Sequence, residues 1–211
     1  MKGARMPQLE QGWTAHWALL GLPEPAASVR DALIQRWAEP HRKYHTLQHL
    51  RECLALFDQH RDLAQHPGEV AVAIWFHDAI YDTQRHDNEA ESAAWAVQVL
   101  QAAGAAAAVV ERVHALVMAT RHDGAVATPD ARLLVDIDLA ILGAPTARYD
   151  EYERQVRDEY AHVPQALFRT KRAEILRLFL AREPLYLTPA FAALFEVAAK
   201  ANLAHAIAAL A

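Results

Sequence analysis

The stretch Glu69-Val70-Ala71-Val72-Ala73-Ile74-Trp75-Phe76-His77-Asp78 carries apolar residues without a break from 70 to 76 and then an adjacent histidine and aspartate. A run that is apolar on every side of a helical wheel predicts a helix enclosed in the interior, not one resting on the surface. His77 and Asp78 therefore stand at the end of a core element. An unpaired carboxylate is costly to bury, and in a last helical turn it also faces the negative end of the helix dipole. A metal cation relieves both penalties. Imidazole beside carboxylate is a donor set suited to Zn, Fe, Mn, Co or Ni.

Further donors of the same types flank this stretch. Tyr44-His45-Thr46-Leu47-Gln48-His49 spaces two histidines at i and i+4, hence on one helical face. Leu47, Leu50, Leu54 and Phe57 line one side of that predicted helix, while Cys53 and Leu56 extend the side carrying the histidines. Downstream, Leu133-Leu134-Val135-Asp136-Ile137-Asp138-Leu139-Ala140-Ile141-Leu142 sets two acids in an apolar helix opened by Thr128-Pro129, a cap followed by proline at the first helical position. Two residues apart, the acids point about 200° from one another, so one site can hardly use both. Asp138 lies nearer the Leu133, Leu134, Ile137, Ile141 stripe and is the favoured inward acid, with Asp136 as the fallback.

The order His49, His77-Asp78, Asp138 on separate helices resembles the H...HD...D signature of the HD superfamily of metal-dependent phosphohydrolases. The Tyr44-to-His49 segment is similar to the Tyr-His-Asn-x-x-His segment of the cyclic-nucleotide phosphodiesterase branch. Thr46 replaces its Asn, so cyclic-nucleotide specificity is not carried over. The likeness continues through Phe76-His77-Asp78-Ala79-Ile80-Tyr81-Asp82, Asp87-Asn88-Glu89-x-x-Ser92, Ala119-Thr120-Arg121-His122, Asp136 to Gly143 and Glu159-Tyr160-Ala161, and resembles a bacterial group of HD phosphohydrolases. It implies an all-α HD-type helical bundle in one domain over 1–211, with a metal-site core at about 38–143 completed by helices over 147–211. It implies one or two divalent ions (Mn, Fe, Co, Ni or Zn, with Mg as a further candidate) held by His49, His77, Asp78 and Asp138. Asp78 would also bridge to a second ion. The implied reaction is hydrolysis of a phosphomonoester or phosphodiester, a nucleotide among the candidates, by a hydroxide generated at the metal, with His45 protonating the departing oxygen.

Composition agrees with a folded enzyme. At 211 residues the chain is below the ~250 at which cores usually split. The single cysteine, Cys53, excludes a disulfide framework and a Cys-based zinc cluster. A net charge of −5 argues against a stable nucleic-acid complex. No segment approaches the ~20 uncharged apolar residues of a membrane span, and Met1 to Glu10 lacks the apolar centre of a secretory signal. The expected setting is cytoplasmic, with a small phosphorylated substrate, no membrane partner, and a homo-oligomer compatible with the sequence. Helices are predicted near 8–20, 28–38, 46–60, 67–80, 89–103, 106–121, 129–142, 147–162, 165–182 and 189–209, with Ser28, Asn88, Thr146 and Thr188-Pro189 as caps. Glycine-rich phosphate loops are absent.

Three residues stand as candidates for supporting or substrate roles: Glu89 in a first helical turn, His122 at a helix end, and Arg172 in the basic run Arg169-Thr170-Lys171-Arg172. Two alternative functions are weighed against hydrolysis. Glu111-x-x-His114 and Glu159-x-x-His162 carry the spacing of carboxylate-bridged di-iron bundles, which points to an HD-type oxygenase. An intact ligand set with little turnover would instead make a nucleotide-binding regulatory module.

Overall fold

The computed structural model describes residues 6–124 and 126–210. Residues 1–5, half of the amino-terminal stretch read above for a secretory signal, lie outside them. The regular structure among the described residues is all helical, with no strand: α1 (Met6–Leu20), α2 (Ala27–Trp37), α3 (Leu47–His60), α4 (Pro67–Phe76), α5 (Asn88–Ala102), α6 (Ala107–Ala119), α7 (Pro129–Asp138), α8 (Thr146–Glu159), α9 (Gln165–Leu180) and α10 (Pro189–Leu210). Short 3₁₀ turns occupy Arg61–Leu63 and Leu139–Gly143. The ten predicted helices are therefore present. The chain divides into two compact units, Met1–Leu134 and Val135–Ala211, the division falling inside α7.

In the first unit α4 packs against α1, α3, α5 and α6. Every residue of α4 from Gly68 to Phe76 is buried, as an all-round apolar helix requires. Five large side chains (Val70, Val72, Ile74, Trp75, Phe76) go into this core, together a gross stabilisation of roughly 10 kcal/mol before conformational entropy is subtracted. The one acid within that stretch, Glu69, is buried because Arg112 on α6 forks onto it at 2.7 and 2.6 Å. The Trp75 indole N–H donates to His16 Nδ1 at 3.1 Å. That leaves the His16 proton on Nε2, which faces Asp58 Oδ1 at 3.0 Å.

Several boundaries differ from the sequence reading, α7 ending at Asp138 and α8 at Glu159 in place of 142 and 162, and two more lie beside the histidines. The α3 helix begins at Leu47, with the Thr46 hydroxyl accepting from the Gln48 amide at 3.2 Å, so His45 precedes the helix and is not on its face. The α4 helix stops at Phe76, short of residue 80. Beyond it the Asp78 and Ala79 carbonyls accept from the Arg42 guanidinium, and the Ile80 amide donates to Ser92 Oγ at 3.0 Å. Side chains have taken the groups that a continuing helix would have used. Of the predicted caps, Thr128 and Thr188 accept amides of α7 and α10. Ser28, Asn88 and Thr146 instead lie inside the first turns of their helices.

In the second unit α10 packs against α8, α9 and the turn Leu139–Gly143. By length and composition alone the 22 residues of α10 suffice to cross a membrane, although the run is not uncharged. The helix is rich in alanine and carries only Glu196 and Lys200 as charges. Both are engaged within the unit, Glu196 by the amides of Leu185 and Tyr186 and Lys200 by the carbonyls of Leu180 and Arg182.

Glycine serves close approach at Gly68, where an added Cβ would lie 2.4 Å from the Leu20 backbone nitrogen. Gly12, in α1, would meet only His16 Cε1 at 3.7 Å. The same substitution should therefore have opposite signs at the two positions. Gly68→Ala should cost about 1–3 kcal/mol through forced backbone separation, and Gly12→Ala should gain about 0.5–1 kcal/mol as a helix-interior replacement. Urea unfolding of both variants checks this.

Candidate metal centre

Three donor atoms converge in the first unit. His49, on the buried side of α3, and His77, directly after α4, bring their Nε2 atoms to 3.2 Å. Asp78 Oδ2 lies 3.1 Å from His77 Nε2 and 3.8 Å from His49 Nε2. Both histidines are 2 % exposed. An ion with bonds near 2.0–2.1 Å places neighbouring ligand atoms roughly 3.0–3.4 Å apart in octahedral or tetrahedral order, so two of these separations fit one ion and the third needs only a small adjustment.

The orientation of His77 is set by its other nitrogen. Nδ1 is 2.8 Å from the Ile74 carbonyl oxygen, to which it must donate. The Nε2 lone pair therefore points at the cluster, the arrangement in which metal-binding imidazoles are held. On the His49 side, Cys53 Sγ lies 3.7 Å from Nδ1. Without a cation, two imidazole nitrogens and a carboxylate would face one another in a desolvated place. The donor set and its orientation fit a divalent ion, and both histidines belong to a group that could hold one.

Around this cluster the first unit builds an aromatic and cationic frame. The Trp37 ring lies 5.3 Å from His77 and 6.2 Å from His49, centroid to centroid, and its indole N–H donates to the Trp75 carbonyl at 3.1 Å. Tyr44 touches His45 and His49 at 4.8 Å each. His45, half-buried in the segment before α3, stacks on Tyr81 at 4.1 Å with 27° between the rings. It remains close to His49, at 5.9 Å between centroids, although the two do not share a helix.

Arg42 completes the frame and is the functional-looking residue that the sequence reading passed over. Its guanidinium is fully buried and donates to the His45, Asp78 and Ala79 carbonyls. It sits in the irregular run Pro40-His41-Arg42-Lys43, where no periodicity separates an inward from an outward cation. Trp37 was likewise unmarked, being one apolar residue among many in α2.

The remaining candidates take other places. Glu89 is half-buried in the first turn of α5, suited to the helix dipole. His122 lies beyond the end of α6 in the left-handed region, φ 58°, so it belongs to the turn and not to the helix end. In the second unit Arg172 forks onto Glu153 at 3.1 and 2.6 Å and lies over the Tyr152 ring, which commits it to fastening α9 to α8. Glu111 and His114 are both exposed on α6, and α8 ends at Glu159, so Glu159 and His162 do not share a helix. Neither Glu-x-x-His pair has the inward helical register that a di-iron bundle needs. A cavity of about 550 Å³ in the second unit, lined in part by Tyr149, Arg157, Phe168 and His205, contains none of the predicted site residues.

Asp136 and Asp138, the two acids of α7 that lie in the second unit, differ in their surroundings. Asp136 is inaccessible and accepts the Leu187 and Thr188 amides at 2.7 Å each, joining α7 to the start of α10. Burial raises its carboxyl above the ordinary aspartate range, while the hydrogen bonds from Thr188 and Leu187 pull the other way. Asp138, the last residue of α7, is half-buried. Compared with protein-family models, with curated proteins and with solved structures, the chain matches none.

Asp136→Asn should cost about 1–3 kcal/mol, because an amide group cannot accept both backbone N–H groups, and should leave metal content unchanged. Denaturant unfolding together with metal analysis of the purified variant checks both halves.

Proposed function

We propose that this protein is a metal-dependent phosphohydrolase of the HD type, acting on a small phosphomonoester or phosphodiester. The observation that carries the reading is the meeting of His49 Nε2, His77 Nε2 and Asp78 Oδ2, with the His77 tautomer fixed from behind by Ile74. His49, His77 and Asp78 hold a divalent transition metal, and Asp138 is the further carboxylate ligand. Of the two candidates Asp136 and Asp138, Asp136 accepts the Leu187 and Thr188 amides, which supports the choice of Asp138. A divalent ion in such a set would supply Lewis acidity toward phosphoryl oxygens and lower the pKa of bound water to about 7.

The chain's own residues perform the rest. His45 holds the proton delivered to the departing oxygen, a role typically contributing ~10² to 10⁴ in rate. Its stack on Tyr81 restricts the ring to one plane. Trp37 and Tyr44 screen the histidines from bulk water, which strengthens electrostatic interactions with the phosphoryl group.

Metal analysis by mass spectrometry should find bound divalent metal at one or two ions per chain, and phosphate release from a phosphoester panel should respond to added Mn, Co, Ni, Fe or Mg. His77→Ala should lose both metal and turnover. Asp138→Asn should weaken metal retention. Metal binding without hydrolysis across the panel would favour a regulatory module, and absence of metal under every loading condition would overturn the site. His45→Ala should retain metal yet lose about 10²-fold or more in turnover on a poor leaving group. Full turnover in that variant would remove His45 from the mechanism.

A further inference from the structure

Arg42 stands between α2 and α3, and its side chain is fully buried. The guanidinium donates through Nη1 to the Asp78 carbonyl at 2.6 Å and the His45 carbonyl at 3.2 Å, through Nη2 to the Ala79 carbonyl at 3.0 Å, and through Nε to Glu39 Oε2 at 3.3 Å. The Trp37 and Tyr81 rings lie on it at 5.5 Å each. A buried ionic group is a poor device for stability alone, since apolar replacements of similar volume are often neutral or better. What a planar fork offers is geometry: several donors in fixed relative directions.

The three carbonyls belong to two separate segments. One carries the His45 ring before α3, and the other carries His77-Asp78 after α4. We propose that Arg42 is a positioning residue that sets the separation between the His45 imidazole and the His77-Asp78 donors by clamping the main chains of both segments. A second tie runs in parallel, from His41 Nε2 to the Tyr81 carbonyl at 2.8 Å, and Tyr81 is the ring on which His45 stacks. The inference rests on the phosphohydrolase reading for its catalytic consequence and on the donor cluster alone for its structural one.

The test uses the full chain with Arg42→Lys and Arg42→Met, each first checked for folding by circular dichroism and loaded with Co(II). Both variants should bind Co(II), because His49 and His77 are placed by α3 and α4. Arg42→Met should shift the visible Co(II) bands through a displaced Asp78, and added guanidinium should move them back. With a poor leaving group, turnover should fall about 10²-fold, the effect of a misplacement near 1 Å. With 4-nitrophenolate as leaving group it should fall at least about tenfold less, because no acid is required and only the displacement of Asp78 still counts. In a His45→Ala background, Arg42→Lys should change turnover by less than about threefold, since the positioned group is gone.

Equal losses with both leaving groups, or undiminished effects of Arg42→Lys without His45, overturn the proposal. So does loss of folding in both variants, which would make Arg42 an anchor of the fold only. If the wild-type protein hydrolyses nothing, the phosphohydrolase reading fails while the clamp is still decided by the Co(II) bands. Bands unchanged in Arg42→Met overturn it, and bands shifted and restored by guanidinium support it.

Discussion

Enclosure of α4 is the constraint on which the first unit depends. A helix that is apolar on every face can be stable only when neighbours cover every face, and α1, α3, α5 and α6 do so. This decides where polar chemistry can reside. A covered helix must end inside the covering layer, so the residues that follow it enter a desolvated place whether or not they are charged. His77 and Asp78 are those residues, and the polar groups around them are arranged to meet that condition. Ile74 takes one nitrogen of His77, Arg42 takes the carbonyls, and His49 arrives from α3.

The environment at this end of α4 is electrostatically mixed, and each part has a separate duty. The guanidinium of Arg42 lies against main-chain oxygens, which are partial charges, and also donates to the Glu39 carboxylate. The Asp78 carboxylate reaches His77 Nε2 at 3.1 Å, while the main-chain carbonyl of the same residue is held by Arg42.

How much could be read without coordinates depends on the scale of the signal. Ten helices were legible because burial imposes a period on many residues at once, and most predicted ends fall within two residues of the observed ones. Helix ends fixed by a distant side chain were not. The stop at Phe76 depends on Arg42, more than thirty residues earlier, and the start at Leu47 moved His45 off the helical face on which spacing had placed it. His49, His77 and Asp78 were legible as candidate metal donors because buried polar groups demand a partner. Arg42 was not, because a basic residue in an irregular segment reads as surface until its acceptors are known.

The sequence by itself determined the helical class, the core helix, and the identity of the costly residues at its end, since these follow from local periodicity and from the free energy of burying charge. Only the tertiary structure decided how Asp136 and Asp138 differ, what Arg172 holds, and which main chains Arg42 joins. Those are matters of direction between residues far apart in the chain. Asp136 and Asp138 are the same side chain two positions apart, and the apolar stripe favoured Asp138 as the inward one. It is Asp136 that the fold buries completely, because the Leu187 and Thr188 amides, some fifty residues on, supply its hydrogen bonds.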